Sequence, residues 1–441
     1  MKKSIFLHIS ACAALALASC SNKLDVQPDT LVSPDQVNSS NVGLVLNGSK
    51  LALTNNAFYN YYILPEIMGD DVQTAGLQGY ELCNIPVNDN SAGIAYRYPF
   101  ACINNTNMVI RYFNAHSTEA ALRPIAGEAY LLRAYAYMLL HEQFGKVAIM
   151  DGTEDPLTYP DRQPEEKVKA EIEDNLLKAA ELLPDYEGKS MKGSKQAAQL
   201  LLARHYLNNG KNTEAATLAN AVIGSGKFSL QDNKYEDVFK YNTTTKEVVY
   251  AIAEVSAGTN NTKQGLPGVF GPGNGSAGGG TIWIDSNLVK SYEDTDIRKA
   301  FYVKVKGRDI SDLVWFLIKF PEEAQPSYPV CRYSEAFLIA AEAKARTGTV
   351  DVTRYNELRT MRKASVSANS DFASPAAFLE AIEWERRREF VGERHRWSDM
   401  RRFGKAIPWL TGLQQPAGHV LFPIPERLFT LNPTMQQNDD Y

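Results

Sequence analysis

Ile382-Glu383-Trp384-Glu385-Arg386-Arg387-Arg388-Glu389-Phe390-Val391-Gly392-Glu393-Arg394-His395-Arg396-Trp397-Ser398-Asp399-Met400-Arg401-Arg402 is the most informative stretch of the chain. At first sight it is a basic patch, yet its charges are mixed in sign. Helical spacing sets Glu383 against Arg387 at i+4 and Glu385 against Arg388 at i+3. Trp384, Phe390 and Trp397 stand among them as apolar anchors. The pattern predicts a helix fastened to its neighbours by an ion network, not a surface for a polyanion.

Working outward, the chain repeats one motif, two short antiparallel helices joined at a glycine. Ser194 to Leu207 is followed by Asn212 to Ile223, with Asn209-Gly210 as the stop between them. Ala215, Leu218, Ala219 and Val222 fall at i, i+3, i+4 and i+7 and make one apolar stripe. Ala336, Ile339, Ala340 and Ala343 repeat the spacing before Thr347-Gly348, and Gly127 to His141 adds another helix before Phe144-Gly145. This is tetratricopeptide-like texture, interrupted by unlike insertions. The best strand candidates are Val248 to Val255, Val303 to Val305 and Leu313 to Ile318.

Composition narrows the function. The 441 residues are 44% hydrophobic and 22% charged, enough for a large core, and 46 basic against 51 acidic side chains give a formal charge of −5. Neither sign forms a long block, which argues against a nucleic-acid partner. Met1-Lys2-Lys3 and the apolar run Ile5 to Ala18 have the layout of a secretory signal, too short to span a bilayer. Leu17-Ala18-Ser19-Cys20 has the form of a lipobox, so residues 1–19 are expected to be removed and Cys20 to carry the lipid anchor. Residues 20–41, rich in Ser, Asn, Asp and Pro, are expected to act as a tether. Cys83, Cys102 and Cys331 then remain, with no C-x-x-C or Cys/His spacing, so buried thiols are expected and a structural metal is not.

Two irregular segments break the helical texture, Gly69 to Tyr98 and Gly258 to Trp283. Long loops in a compact domain are commonly functional. Gly273-Asn274-Gly275-Ser276-Ala277-Gly278 satisfies G-x-G-x-x-G but lacks the preceding strand and following helix of a dinucleotide site. His141-Glu142 begins H-E-x-x-H and fails at Gly145. Asp70-Asp71 gives no evidence of the separated carboxyl pair that glycoside hydrolysis needs.

The opening stretch closely resembles the C-terminal signature of SusD/RagB outer-membrane lipoproteins. Arg332-Tyr333-Ser334-Glu335, continuing through Glu342-Ala343, resembles the family's R-x-x-E-x-x-L-x-x-A-E-A helix, and Asn356 to Arg362 its successor. Phe422-Pro423-Ile424-Pro425, Asn432-Pro433 and Gln437-Asn438 with Tyr441 resemble its closing elements, and Gly127 to Tyr135 its E-A-x-x-L-R-A helix. Arg394 departs from the pattern, standing where the family has glycine, and Arg359 and Arg362 are one residue wider apart.

The resemblance implies a mainly α fold: tetratricopeptide-like helix pairs forming a SusD-like scaffold, with irregular loop insertions and a few short strands. Residues 42–257 would be its N-terminal part and 258–441 its C-terminal part, in one compact body. It implies a lipoprotein facing the cell exterior that captures oligosaccharides for a SusC-like TonB-dependent transporter, without catalysis or cofactor. A peptide-binding RagB-like role is the alternative, and a glycoside hydrolase is disfavoured. Sugar rings pack their apolar faces on aromatics and pair their hydroxyls with polar groups. Asp71, Gln73, Tyr80, Asn88, Asn90, Phe270, Asn274 and Trp283 are therefore the expected ligand contacts, with Tyr96 and Phe100 in the core.

Overall fold

The computed structural model describes residues 33–54, 59–154, 159–231, 234–240, 245–253, 266–273, 279–308, 310–321 and 327–441. The expected signal, Cys20, most of the tether and Asn274 lie outside them. The first helices are α1 (Val42–Thr54), α2 (Asn90–Ala115), α3 (Arg123–Phe144), α4 (Glu165–Leu182), α5 (Lys195–Asn208) and α6 (Asn212–Gly224). After an insertion come α7 (Tyr333–Arg346), α8 (Thr353–Met361), α9 (Pro375–Phe390), α10 (Arg396–Arg402) and α11 (Ala406–Gly412). No described helix is long and apolar enough to cross a membrane.

Local chemistry sets several ends. The Ala197 N–H donates to the Ser194 hydroxyl at 3.2 Å, and the Ala377 N–H to that of Ser374 at 3.2 Å, so each serine caps its helix. Asp89 accepts from the Ala92 N–H at 2.7 Å. That cap starts α2 at Asn90, so the first irregular segment is shorter than expected, and Tyr96 and Phe100 are buried helix residues. Gly145 ends α3 at φ +69°, and a Cβ there would meet Leu421 Cδ1 at 2.9 Å.

Each helix from α1 to α6 packs on the next, and α7 then docks on α6 and carries α8 and α9. The array interrupted in sequence is continuous in space. Small residues permit this: Ala126, Ala129, Ala134 and Ala136 on α3 and Ala336, Ala340 and Ala343 on α7 are all buried. A Cβ on Gly127 would sit 2.8 Å from Leu183 Cγ.

The insertion supplies most of the strands. Strands β1 (Val72–Thr74), β3 (Ile282–Ile284), β5 (Leu313–Leu317) and β4 (Tyr302–Lys306) form an antiparallel sheet in that order, while β2 (Val248–Ala253) pairs antiparallel with β6 (Ser327–Arg332). β2, β4 and β5 fall where alternation and β-branching predict them. β1 and β3, three residues each, lie in segments read as irregular, because pairing with partners distant in the sequence is what makes them strands.

A buried ion lattice joins helices to strands. Glu389 of α9 takes Arg298 Nη1 at 3.0 Å, Arg332 Nη1 at 2.9 Å and Arg362 Nη2 at 2.8 Å. Arg332 also binds Glu247 at 2.8 Å and Glu393 at 2.6 Å, Arg298 binds Asp296 and Glu385 at 2.7 Å each, and Arg359 binds Glu385 at 2.5 Å. Burial opposes ionisation of Glu385, yet Arg298, Arg388 and Arg359 hold its carboxyl at about 2. Glu385 and Arg388 pair as the spacing predicts, at 3.0 Å. Glu383 and Arg387 do not: Glu383 is taken by Arg396 and Lys405, and Arg387 by Asp71.

Arg394 adopts φ +66°, the left-handed backbone suited to the glycine of the family pattern. Its side chain donates to Tyr61 O at 2.8 Å and pairs with Glu142, contacts glycine would lack. Cys83, Cys102 and Cys331 are free, buried thiols.

Glu389→Ala takes the shared carboxylate from three buried guanidinium groups, leaving the lattice one negative charge short, and is expected to cost about 3–5 kcal/mol in urea denaturation. A loss below about 1 kcal/mol, the scale of an exposed pair, would show that the lattice does not hold the fold together.

Candidate functional site

The short strands β1 and β3 position the first part of the site. Gln73 and Trp283 face each other in register, and the indole Nε1 donates to Gln73 Oε1 at 2.7 Å. Val72, Thr74, Ile282 and Ile284 turn inward, so the pair occupies the outer face. Beside Gln73 lies a cleft of about 470 Å³ whose walls include Asp70, Glu81, Asp285, Asn287, Trp384, Arg387 and Trp409.

Trp384 comes from α9 and Trp409 from α11. The Arg387 guanidinium stacks on the Trp384 ring at 4.2 Å from its centroid, and Trp409 Nε1 donates to Met68 O at 3.1 Å, so both rings are held in place. Arg396 binds Asp70 at 2.5 Å, and a Cβ on Gly69 would stand 2.8 Å from Arg396 Cγ. Burial alone would raise the Asp70 carboxyl, but Arg396 and Arg387 hold it below its usual range. Both carboxylates of the Asp70-Asp71 pair are therefore engaged by guanidinium groups. Two half-buried indoles beside polar groups form a surface suited to a flat, hydroxylated ligand.

Of the expected contacts, Gln73 lines this cleft and Trp283 touches Gln73. Asn88 and Asn90 are exposed, the latter as the first residue of α2, but neither lines it. Burial removes three others from direct contact. Asp71 is 0% exposed and binds Arg387 at 2.5 Å. Tyr80 donates to Asp89 Oδ1 at 2.6 Å and packs its ring against Phe422. Phe270 is fully buried with its ring 6.1 Å from that of Phe320. Trp384 had registered only as an apolar anchor among charges, and Trp409 carried no signal in the sequence.

Residues 23–207 match a SusD-like family described as starch-binding and associating with the outer membrane, and residues 318–418 match the SusD family. The chain belongs to the SusD/RagB family.

Among SusD relatives, SusD-like protein P2 of Formosa agariphila is 24% identical, with 88% of each chain covered. A SusD superfamily crystal structure from Bacteroides thetaiotaomicron superposes with TM-score 0.79 at 23% identity, covering 91% of this chain and 100% of that one. A laminarin-binding SusD-like protein gives TM-score 0.78 at 21% identity, covering 92% and 100%. A putative sugar-binding protein from Bacteroides vulgatus gives 0.76 at 22%, covering 91% and 98%. These likenesses show that the mainly helical SusD fold is shared. In this member, Asp70 and Gln73 lie in the first matched region and Trp384, Arg387 and Trp409 in the second. Trp283, Asp285 and Asn287 come from the segment between.

Behind the cleft, Glu66 is fully buried and accepts the His395 N–H at 2.9 Å with one oxygen, while the other has no partner. Burial, reinforced by Asp71, pushes its carboxyl up to about 8. An unfolded glutamate titrates near ~4.3, so the stability from keeping Glu66 protonated is complete below that pH and is lost as pH rises through about 8. Glu66→Gln should flatten this decline, measured as urea midpoints at about pH 5, 7 and 9. An unchanged slope would place the decline on another group.

Proposed function

We propose that the protein is an outer-membrane lipoprotein, anchored through Cys20 after loss of residues 1–19 and held off the surface by residues 20–41. It captures oligosaccharides and passes them unaltered to a SusC-like TonB-dependent transporter. The observation that carries this reading is the cleft in which Trp384 and Trp409 stand beside Asp70, Gln73 and Asn287. Pyranose rings offer apolar faces to indoles while carboxylates and amides take their hydroxyls, and engagement of both Asp70 and Asp71 by arginines suits holding better than proton transfer. The family description as starch-binding and the laminarin- and sugar-binding neighbours of the same fold support a glycan.

The test is calorimetric titration of the lipid-free chain with a panel of neutral oligosaccharides, laminarin fragments among them, and of short peptides, followed by chromatography of the recovered ligand. Saturable binding of an intact glycan is expected. Tight binding of peptides alone, or cleavage of the ligand, would overturn the reading. Trp384→Ala should weaken glycan binding roughly tenfold, the scale of one lost stacking contact. Trp283→Ala should weaken it without lowering the melting temperature, and unchanged affinity would place Trp283 outside the bound ligand.

A further inference from the structure

A second cavity, of about 290 Å³, opens where the ends of α3 and α5 meet the first turns of α4 and the helix α10. His141, Lys169, His205, Arg401 and Arg402 line it, with Glu142 and Glu165 as its carboxylates. Most of these charges are committed elsewhere. Glu142 pairs with Arg394, Lys169 holds Glu166 at 2.8 Å, and Arg402 uses Nε for Asp399 at 2.9 Å and Nη1 for Glu342. The carbonyls at the helix ends are engaged as well: Glu142 O accepts Arg401 Nη1 at 2.6 Å, and His205 O accepts Asn209 Nδ2 at 2.8 Å.

What remains is one half-buried guanidinium with donors to spare and two buried nitrogens without a hydrogen-bond partner. Among the described residues Arg401 makes that single hydrogen bond and no ion pair, although burial already pulls its guanidinium below the usual range. Arg402 Nη2, on a side chain only 8% exposed, has no partner. His141 Nε2 lies 3.4 Å from Glu165 Oε2 without an aligned hydrogen bond. Buried polar atoms are rarely left unpaired, and Arg402 Nη2 and His141 Nε2, beside the spare donors of half-buried Arg401, call for a partner inside the cavity.

We propose that this cavity binds a small oxyanion, a phosphate or carboxylate group, with Arg401 as its principal partner and Arg402 and His141 beside it. Glu165 stands at the mouth with its side chain 41% exposed, and its carboxyl is held below its usual range by His141, with Lys169 and Arg401 adding to the pull. It occupies part of the field a bound anion would take, and therefore competes with one. His205, pushed down to about 4 by burial and by His141, stays neutral at the back of the cavity. This site is separate from the tryptophan cleft and does not depend on what that cleft binds.

The test is calorimetric titration of the chain with sodium phosphate and, separately, sodium glucuronate, at ionic strength matched with chloride. Saturable binding of at least one is expected. Tighter phosphate identifies the free ion as the source, and tighter glucuronate an acidic sugar. Arg401→Gln should reduce affinity roughly tenfold or more, the scale of a lost charge-assisted bond. Glu165→Gln, which removes the competing carboxylate, should raise it. Absence of saturable binding to both probes, or binding indifferent to Arg401→Gln, would overturn the proposal. Should Arg401→Gln fail to fold by circular dichroism, Glu165→Gln decides alone, and unchanged or weaker binding would reject the site.

Discussion

Three guanidinium groups converge on the Glu389 carboxylate, all of them buried, and the rest of the fold is arranged around that meeting. Arg332 brings the end of β6, Arg362 the end of α8, and Arg298 the turn before β4. Glu247, at the start of β2, receives both Arg332 and Arg362. Taking so many charges out of water is costly, and the lattice is tolerable only because its cations Arg298, Lys319, Arg332, Arg359 and Arg362 are matched by Glu247, Asp296, Glu385, Glu389 and Glu393. Its geometric demands also specify one register between helices and strands, which apolar packing alone would leave looser.

The cleft inherits its geometry from that register. Glu385 and Glu389 occupy the buried side of α9, and the same turns of helix carry Trp384 and Arg387 toward β1. Arg387 and Arg396 then draw in Asp70 and Asp71, and the strand that follows presents Gln73. α10 serves both cavities, with Arg396 at its start bound to Asp70 and Arg401 at its end beside His141. Both cavities thus rest on one ion-paired helical corner.

Other signature residues hold parts together. Glu335 of α7 binds Arg204 of α5 at 2.5 Å, while Glu128 of α3 takes Lys50 at 2.7 Å and the Gly193 N–H at 3.0 Å. At the C-terminus, Asn438 Nδ2 donates to Phe422 O at 2.8 Å and Phe144 O at 3.1 Å, and Tyr441 donates to Leu421 O, stitching the tail to the end of α3. Such residues were recognisable as a family pattern before their partners were known, since the pattern records which side chains are required and not what they touch.

What the sequence by itself determined was local: helix pairs from 3.6-residue periodicity, a start at Ser194, their stops at glycine, the i+3 pair of Glu385 with Arg388, and the longer strands. These depend on neighbours a few residues away, so spacing suffices to read them. Tertiary structure alone decided that Arg387 would leave Glu383 for Asp71, some 300 residues distant, that β1 and β3 would pair, and that Phe270, Asp71 and Tyr80 would be buried. It also set Trp384 and Trp409 across one cleft. A buried guanidinium takes whichever carboxylate the completed fold brings within reach, and a three-residue strand exists only where its partner does, so neither outcome is written in the spacing of the chain.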